Sequence, residues 1–151
     1  MKTKFKKRPE TTKIVVHCSA TREDKDFGVR DIRLWHKAKG WLDVGYHYVI
    51  KRDGTIEEGR PDDVIGAGAE GHNTDSIHIC LVGGLDKEGN TLEGFHNAFT
   101  DAQEVSLFHL IAAMEEKYPT VRVVCGHRDL PRVAKACPCF DVVKWLEEVV
   151  V

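Results

Sequence analysis

Hydrophobic positions along the chain follow two different periods. Apolar residues spaced three or four apart predict helices over about 28–39, 101–117 and 141–149. Short apolar runs are typical of strands, and they occupy residues 13–18, 45–51, 55–58, 76–82 and 121–125. An Asp53-Gly54 pair predicts a tight turn between the second and third of these runs. Strands that alternate with helices predict a single α/β domain.

The helix predicted over 101–117 has the clearest boundaries. Thr100 and Gln103 fit a capping box, in which the two side chains satisfy backbone N–H groups at the start of a helix, and Pro119 ends it. The segment 85–99, after a Gly-Gly turn, is predicted to be a long surface loop. The apolar face of the helix over 101–117 is predicted to comprise Val105, Phe108, Ile111 and Met114.

Composition restricts the classes of protein. A chain of 151 residues suits one domain, and a net charge of −2 gives no general basic field, so we expect no direct nucleic-acid binding. No segment is long and apolar enough to span a membrane, and we expect no membrane association. The amino terminus is basic but lacks the apolar stretch of a signal peptide, so residues 1–12 are predicted to be a flexible segment. The basic residues there are Lys2, Lys4, Lys6, Lys7 and Arg8.

The cysteines indicate a reducing compartment. There are five of them, an odd number in a chain without an export signal, which favours free thiols and synthesis in the cytoplasm. Cys18, Cys80 and Cys125 lie in apolar runs and are predicted to be small buried hydrophobic residues. Cys139 leaves three interpretations open: a bystander, a partner in an adventitious disulfide, or a competing metal ligand.

His17, His127 and Cys137 are candidate metal ligands. Two imidazoles and a thiolate suit Zn²⁺, and three protein ligands leave one coordination position open for a water molecule, as in catalytic zinc sites. His17 and His127 each follow a strand-like run, and carboxyl ends of strands are common places for sites in α/β proteins. The alternative is that most of the eight histidines are surface or hydrogen-bonded residues, since their spacing matches no standard zinc motif.

Four separate segments resemble one enzyme family. They are VVHCSAT (15–21), GWLDVGYHYVIKRDGTIEEGR (40–60), SIHICLVGG (76–84) and GHRDLPRVAKACPCFD (126–141). In order and spacing they resemble the zinc-dependent N-acetylmuramoyl-L-alanine amidases, which share their fold with peptidoglycan-recognition proteins. The similarity runs from about residue 5 to residue 146 and is greatest to a small phage lysozyme that also inhibits the RNA polymerase of its phage. It implies a mixed central β-sheet flanked by helices.

The resemblance also implies roles for individual residues. His17, His127 and Cys137 fall on the positions of the three Zn²⁺ ligands, and Tyr46 and Lys135 fall on the positions of two catalytic residues. Taken by themselves, a tyrosine in a strand is more often a core aromatic, and a lysine is more often a solvated charge.

Strand periodicity and two departures from the family add detail. Alternation within the run 45–51 predicts that Tyr46 and Tyr48 share one face of the sheet. Gly68 stands where the phage lysozyme and many relatives have a histidine near the substrate cleft. His72 either substitutes for that histidine or is a surface loop residue. The loop 128–133 makes the spacing from His127 to the predicted thiolate ligand longer than in the phage lysozyme.

The function that the resemblance implies is hydrolysis of the amide between N-acetylmuramic acid and L-alanine in bacterial peptidoglycan. We expect a monomeric phage or prophage endolysin, made in the host cytoplasm and reaching the wall through a separate pore-forming protein. Two alternatives stay open: a cytoplasmic amidase that recycles muropeptides, and a regulatory protein that inhibits a phage RNA polymerase.

Overall fold

A computed structural model of the protein describes residues 5–133 and 135–149. Its central sheet contains five strands, which are β1 (Lys13–Cys18), β3 (Tyr48–Ile50), β4 (Ile56–Glu58), β5 (Ser76–Leu81) and β7 (Val123–Gly126). The strand order is β4-β3-β5-β1-β7, and only the β3–β4 pair is antiparallel. The mixed central sheet expected from the family resemblance is therefore confirmed.

Four α-helices within the described residues pack around the sheet. They are α1 (Val29–Ala38), α2 (Phe95–Ala98), α3 (Asp101–Lys117) and α4 (Val142–Val149). The three longer helices are the ones predicted from the apolar period, and the capping box of α3 forms as expected, with the backbone N–H of Gln103 donating to Thr100 Oγ1 at 3.1 Å. Within the part of the chain that the structure describes, no helix has the length and apolarity needed to cross a membrane.

The two faces of the sheet contact different layers. Along β1, Ile14 and Val16 point into the main core, which α3 and α4 cover. The intervening Val15 points to the opposite face, as the two-residue period of a strand requires. On that opposite face, Val49 of β3 and Cys80 of β5 pack against Ile32 of α1. The candidate ligand His17 follows the same alternation and lies on the α1 face.

The prediction that residues 85–99 form a long surface loop is wrong. This segment contains the end of a small two-stranded sheet, formed by β2 (Thr21–Arg22) and β6 (Gly84–Leu85), and it also contains α2. Phe95 of α2 is buried, with its ring stacked on Trp145 at 5.5 Å and edge-on to Phe140 at 5.0 Å. The physical reason is that two aromatic residues of this segment complete the core between α3 and α4.

The buried face of α3 differs from the predicted one. Val105 is 56% exposed, and the face is rotated toward Gln103, which is completely buried. The side-chain amide of Gln103 donates to the carbonyls of Ile50 at 3.1 Å and Val82 at 2.9 Å. These bonds help to satisfy backbone carbonyls at the ends of two strands. A polar residue therefore occupies a buried position of α3 that the apolar period did not predict. The buried residues of α3 are Gln103, Leu107, Leu110, Ile111 and Met114.

The amino-terminal segment is attached to the rest of the domain at Arg8. This residue is buried, its Nε donates to Thr11 Oγ1 at 2.8 Å, and one of its terminal nitrogens donates to the Val64 carbonyl at 3.0 Å. Its guanidinium also lies over the ring of Tyr118 at 5.2 Å. Residues 1–4 of the segment predicted to be flexible lie outside the described residues.

We predict that Gln103→Met lowers the free energy of unfolding by about 2 kcal/mol, because it keeps the volume but removes the two hydrogen bonds that the buried amide donates to the carbonyls of Ile50 and Val82 and the bond that its oxygen accepts from the Thr100 N–H. Urea unfolding followed by circular dichroism measures the change. Val105→Ala, on the exposed side of the same helix, is the control and should stay within about 0.5 kcal/mol of the unmodified protein. Equal stability of the two variants would contradict this role of Gln103.

Candidate metal centre and active site

The three predicted ligands converge at one edge of the sheet. His17 is the penultimate residue of β1, and His127 follows β7 directly, in a single 3₁₀ turn at His127–Asp129. Because β1 and β7 are parallel neighbours, their carboxyl ends meet at the same edge. Cys137 arrives from the loop after β7, and its sulfur accepts a hydrogen bond from the Cys18 backbone N–H at 3.1 Å.

The donor atoms of the three residues are close enough to share one ion. One ligand atom from each of His17, His127 and Cys137 lies within 4.8 Å of the others. His17 Nδ1 is 4.0 Å from Cys137 Sγ, and the two imidazole rings are 4.7 Å apart between centroids. Zinc binds nitrogen at about 2.0–2.1 Å and thiolate at about 2.3 Å, so this spacing and this donor chemistry fit the metal. Among residues 5–133 and 135–149, no second group of three such side chains occurs.

Hydrogen bonds fix the loop that carries Cys137. The Asp129 carboxylate accepts from the Gly126 N–H at 2.8 Å and closes the turn that holds His127. The Arg128 backbone N–H donates to the Cys137 carbonyl at 2.8 Å, while its guanidinium binds both carboxylate oxygens of Glu93 at 2.8 and 3.0 Å. These bonds return the cysteine of this loop to the sheet edge.

The surroundings keep both ligand imidazoles neutral. Burial, followed by the proximity of His78, His127 and Lys135, holds the pKa of His17 well below its usual value. Burial and the charge of Lys135 also lower the pKa of His127. A neutral imidazole has a free nitrogen lone pair, which is the form that binds a metal.

Tyr46 lies beside the candidate metal centre. Its ring is 5.0 Å from the ring of His17 and 5.4 Å from that of His36. Burial raises the pKa of its phenol, so the group stays protonated and can donate a hydrogen bond. The predicted shared face with Tyr48 is wrong, because Tyr48 packs in the α3 core and donates to Asp62 at 2.7 Å. The strand begins at residue 48, so its alternation does not reach residue 46.

Lys135 borders a groove that opens beside the ligands. The groove has a volume of about 640 Å³ and is also lined by Trp41, Gly68, His127 and Arg132. Lys135 is exposed, and its positive charge acts on both ligand imidazoles. The ammonium group is therefore exposed at the border of the groove.

Gly68 is a glycine because His78 takes the space that a side chain would need. A Cβ atom built on Gly68 would lie 2.6 Å from His78 Nδ1 and 3.0 Å from His17 Nε2. His72 is partly exposed in the turn that follows, with its backbone N–H bonded to the Ala69 carbonyl at 2.9 Å. His72 is not among the groove-lining residues that the structure describes, which agrees with a surface loop residue.

Two further histidines lie near the site and were not predicted from the sequence to belong to it. His78 is completely buried in β5, and its Nδ1 is 2.8 Å from His17 Nε2. His36 of α1 is buried, and its Nδ1 accepts from the Gly45 N–H at 2.8 Å. The sequence did contain one usable signal: a histidine inside the apolar run SIHICL needs a buried hydrogen-bonding partner.

Cys139 is separate from the three ligands. It is buried on the α3 side, with its sulfur 3.7 Å from Cys18 Sγ, and this contact, followed by burial, raises its pKa. Cys18, Cys80 and Cys125 are buried free thiols, as predicted. Of the three interpretations, this geometry favours a bystander, which is buried beside Cys18 and is not part of the ligand group.

Comparison with known proteins identifies the family. The N-acetylmuramoyl-L-alanine amidase family matches residues 7–140. The endolysin of Klebsiella phage KP32 is 48% identical over 147 residues, which cover 97% of this chain and 93% of that protein. The endolysin of Escherichia phage T7 is 48% identical over 144 residues, covering 95% and 91%. A solved endolysin amidase, LysCS from Clostridium intestinale, superimposes with a TM-score of 0.79 at 26% identity and covers 99% of this chain and 90% of that one.

The chain thus belongs to the N-acetylmuramoyl-L-alanine amidase family. It is an endolysin-type N-acetylmuramoyl-L-alanine amidase, and its substrate is peptidoglycan. The family assignment, fold class and enzyme class predicted from the sequence are confirmed.

Buried histidines predict a loss of stability in acid. Burial lowers the pKa of both His36 and His47 to about 4, whereas an unfolded histidine titrates near 6.5. Between these values the unfolded chain binds more protons, so the stability present above pH 6.5 is lost as the pH falls toward 4. We expect urea unfolding of the chelator-treated protein to depend less steeply on pH after His36→Asn, which keeps an acceptor for Gly45. His109→Asn, at an exposed position, should leave the dependence unchanged. Identical slopes for all three proteins would contradict the burial argument.

Proposed function

We propose that the enzyme is a zinc amidase in which His17, His127 and Cys137 hold the metal and Tyr46 and Lys135 act on the reacting amide. The observation that carries the proposal is the convergence of the three donor atoms within 4.8 Å beside an open groove. When bound there, zinc would act as a Lewis acid and lower the pKa of a water molecule toward neutrality.

The side chains around the metal position have separable tasks. Both imidazoles stay neutral through burial, and the Cys18 N–H donates to the sulfur of Cys137 and holds it beside the two rings. Attack by water on the amide carbon would place negative charge on the former carbonyl oxygen. Breakage of the C–N bond would then release the amine of L-alanine, which takes up the proton that the water gave up. The protonated phenol of Tyr46 and the ammonium of Lys135 would stabilise that charge, as oxyanion-hole donors do. The amide in question joins N-acetylmuramic acid to L-alanine, so cleavage detaches peptides from the glycan strands.

We predict one Zn²⁺ per chain in the purified enzyme. Removing it with a chelator should abolish release of peptide from purified sacculi, and adding Zn²⁺ should restore it, because the metal supplies the Lewis acid. Elemental analysis verifies the metal content at each step. Full activity of protein shown to be free of metal would exclude a catalytic metal.

The identity of the sulfur ligand has its own test. Cys137→Ser should lose zinc, whereas Cys139→Ser should retain it, because only Cys137 Sγ lies beside His17 Nδ1. The two cysteines are two positions apart in the same loop, so each variant controls for the other. Loss of zinc from Cys139→Ser alone would mean that the wrong thiol has been assigned.

The proposed catalytic residues should affect turnover and not metal binding. We expect Tyr46→Phe and Lys135→Ala to keep zinc and to lower kcat and kcat/KM together by about a hundredfold, the size seen when one oxyanion donor is removed. Tyr48→Phe, on the other face of the sheet, and Lys144→Ala, on the exposed side of α4, are matched controls that should retain activity. Near-normal hydrolysis by the zinc-loaded Tyr46 and Lys135 variants would refute their role.

We further infer that the enzyme serves a phage as an endolysin, is made in the host cytoplasm and reaches the wall through a separate pore-forming protein. The endolysin relatives support this setting. All three candidate ligands come from one chain, so the proposed metal site needs no residue of a partner subunit. Activity on soluble muropeptides but not on intact sacculi would instead favour a recycling amidase.

Binding to phage RNA polymerase stays a prediction from the family resemblance, and a pull-down with the cognate polymerase tests it.

A further inference from the structure

His78 stands out among the buried residues of the sheet. It lies in the middle of β5, is completely buried, and is surrounded along the strand by apolar residues. The parallel register of β1 and β5 pairs His17 with Cys80, so His78 lies on the same face as His17, two residues earlier. A histidine that served only to fill a core would replace an aliphatic residue at the cost of burying two polar nitrogens.

The two nitrogens of His17 face different partners. Nδ1 is 4.0 Å from Cys137 Sγ, and Nε2 is 2.8 Å from His78 Nδ1. A nitrogen that binds a metal uses its lone pair and carries no proton. With Nδ1 directed at the ligand cluster, the proton of the neutral His17 ring must be on Nε2. That N–H then donates to His78 Nδ1, which is the acceptor.

The orientation of His78 is fixed from two sides. Its backbone N–H donates to His47 Nδ1 at 2.9 Å, and the two rings stack with an interplanar angle of 5°. His47 in turn donates from Nε2 to the Val64 carbonyl at 2.8 Å, which sets its own tautomer. On the other side, Gly68 approaches so closely that any Cβ there would meet the His78 ring. The ring of His78 is therefore held in place against His17.

The remaining nitrogen of His78 is an unpaired buried atom. With Nδ1 as acceptor, the His78 proton is on Nε2, and this atom has no hydrogen-bond partner within the described part of the protein. A buried donor without a partner lowers stability. The site thus keeps a costly residue whose one side-chain hydrogen bond is made to a candidate metal ligand.

We propose that His78 is a positioning residue for the metal centre: it accepts the Nε2–H hydrogen bond of His17 and thereby fixes the tautomer and ring orientation that direct Nδ1 to zinc. This inference rests on the proposed zinc site. Partners of this kind, when removed, typically change metal affinity by about 10- to 100-fold.

Two substitutions separate the hydrogen bond from packing. His78→Leu removes the acceptor, whereas His78→Asn keeps an oxygen near the place of Nδ1. We expect the leucine variant to bind Zn²⁺ about 10- to 100-fold more weakly in competition with a chromophoric chelator, and the asparagine variant to recover most of that loss. Ile77→Ala, on the α3 face of the same strand, controls for destabilisation and should bind Zn²⁺ with the affinity of the unmodified protein.

A measurement on the unmodified protein tests the same inference without any variant. In ¹⁵N-detected histidine spectra of the zinc-loaded enzyme, His17 should carry its proton on Nε2 and His78 should be unprotonated on Nδ1. A His78 ring protonated on Nδ1, or unchanged zinc affinity of a folded His78→Leu, would overturn the role of His78. An unmodified protein that binds no zinc would instead refute the proposed metal site, so the two failures are distinguishable.

Discussion

The site depends on the parallel hydrogen bonding of β1 to both of its neighbours. Pairing of Val16 with Gly126 places His127, the residue after β7, beside His17, and pairing of His17 with Cys80 brings His78 onto the same face. Because side chains alternate along a strand, a one-residue slip of β1 would turn His17 into the α3 core. The strand register therefore determines both the metal centre and its hydrogen-bonding partner.

Burial sets the protonation states of the side chains at this edge of the sheet, and it also lowers the stability of the protein. Removal from water keeps the imidazole of His17 neutral and the phenol of Tyr46 protonated, which are the forms that a metal ligand and a hydrogen-bond donor require. The same burial leaves His78 Nε2 without a partner. Polar groups that conflict with good packing tend to occur at functional sites, where the chemistry requires them. The opposite face, covered by α3 and α4, is apolar apart from groups such as Gln103 that satisfy backbone carbonyls.

Local patterns in the sequence predicted what short-range physics determines. The cap at Thr100 and the strand that ends beside His17 follow from residues adjacent in the chain. The features that were missed depend on distant contacts. Tyr46 does not share a face with Tyr48, because the strand begins only at residue 48. The segment that contains Phe95 folds inward because the Phe95 ring stacks on Trp145 in the core. His78 was overlooked because its partner lies on another strand, 61 residues away in sequence.

X-ray absorption at the zinc edge of the loaded enzyme tests the central claim most directly. Ligation by His17, His127 and Cys137 predicts a first shell with one sulfur at about 2.3 Å, two imidazole nitrogens at about 2.0–2.1 Å and one further light atom. A shell with two sulfurs would bring a second thiol, such as Cys18 or Cys139, to the metal. A shell without sulfur would remove Cys137 from it. Either result would contradict the proposed metal centre.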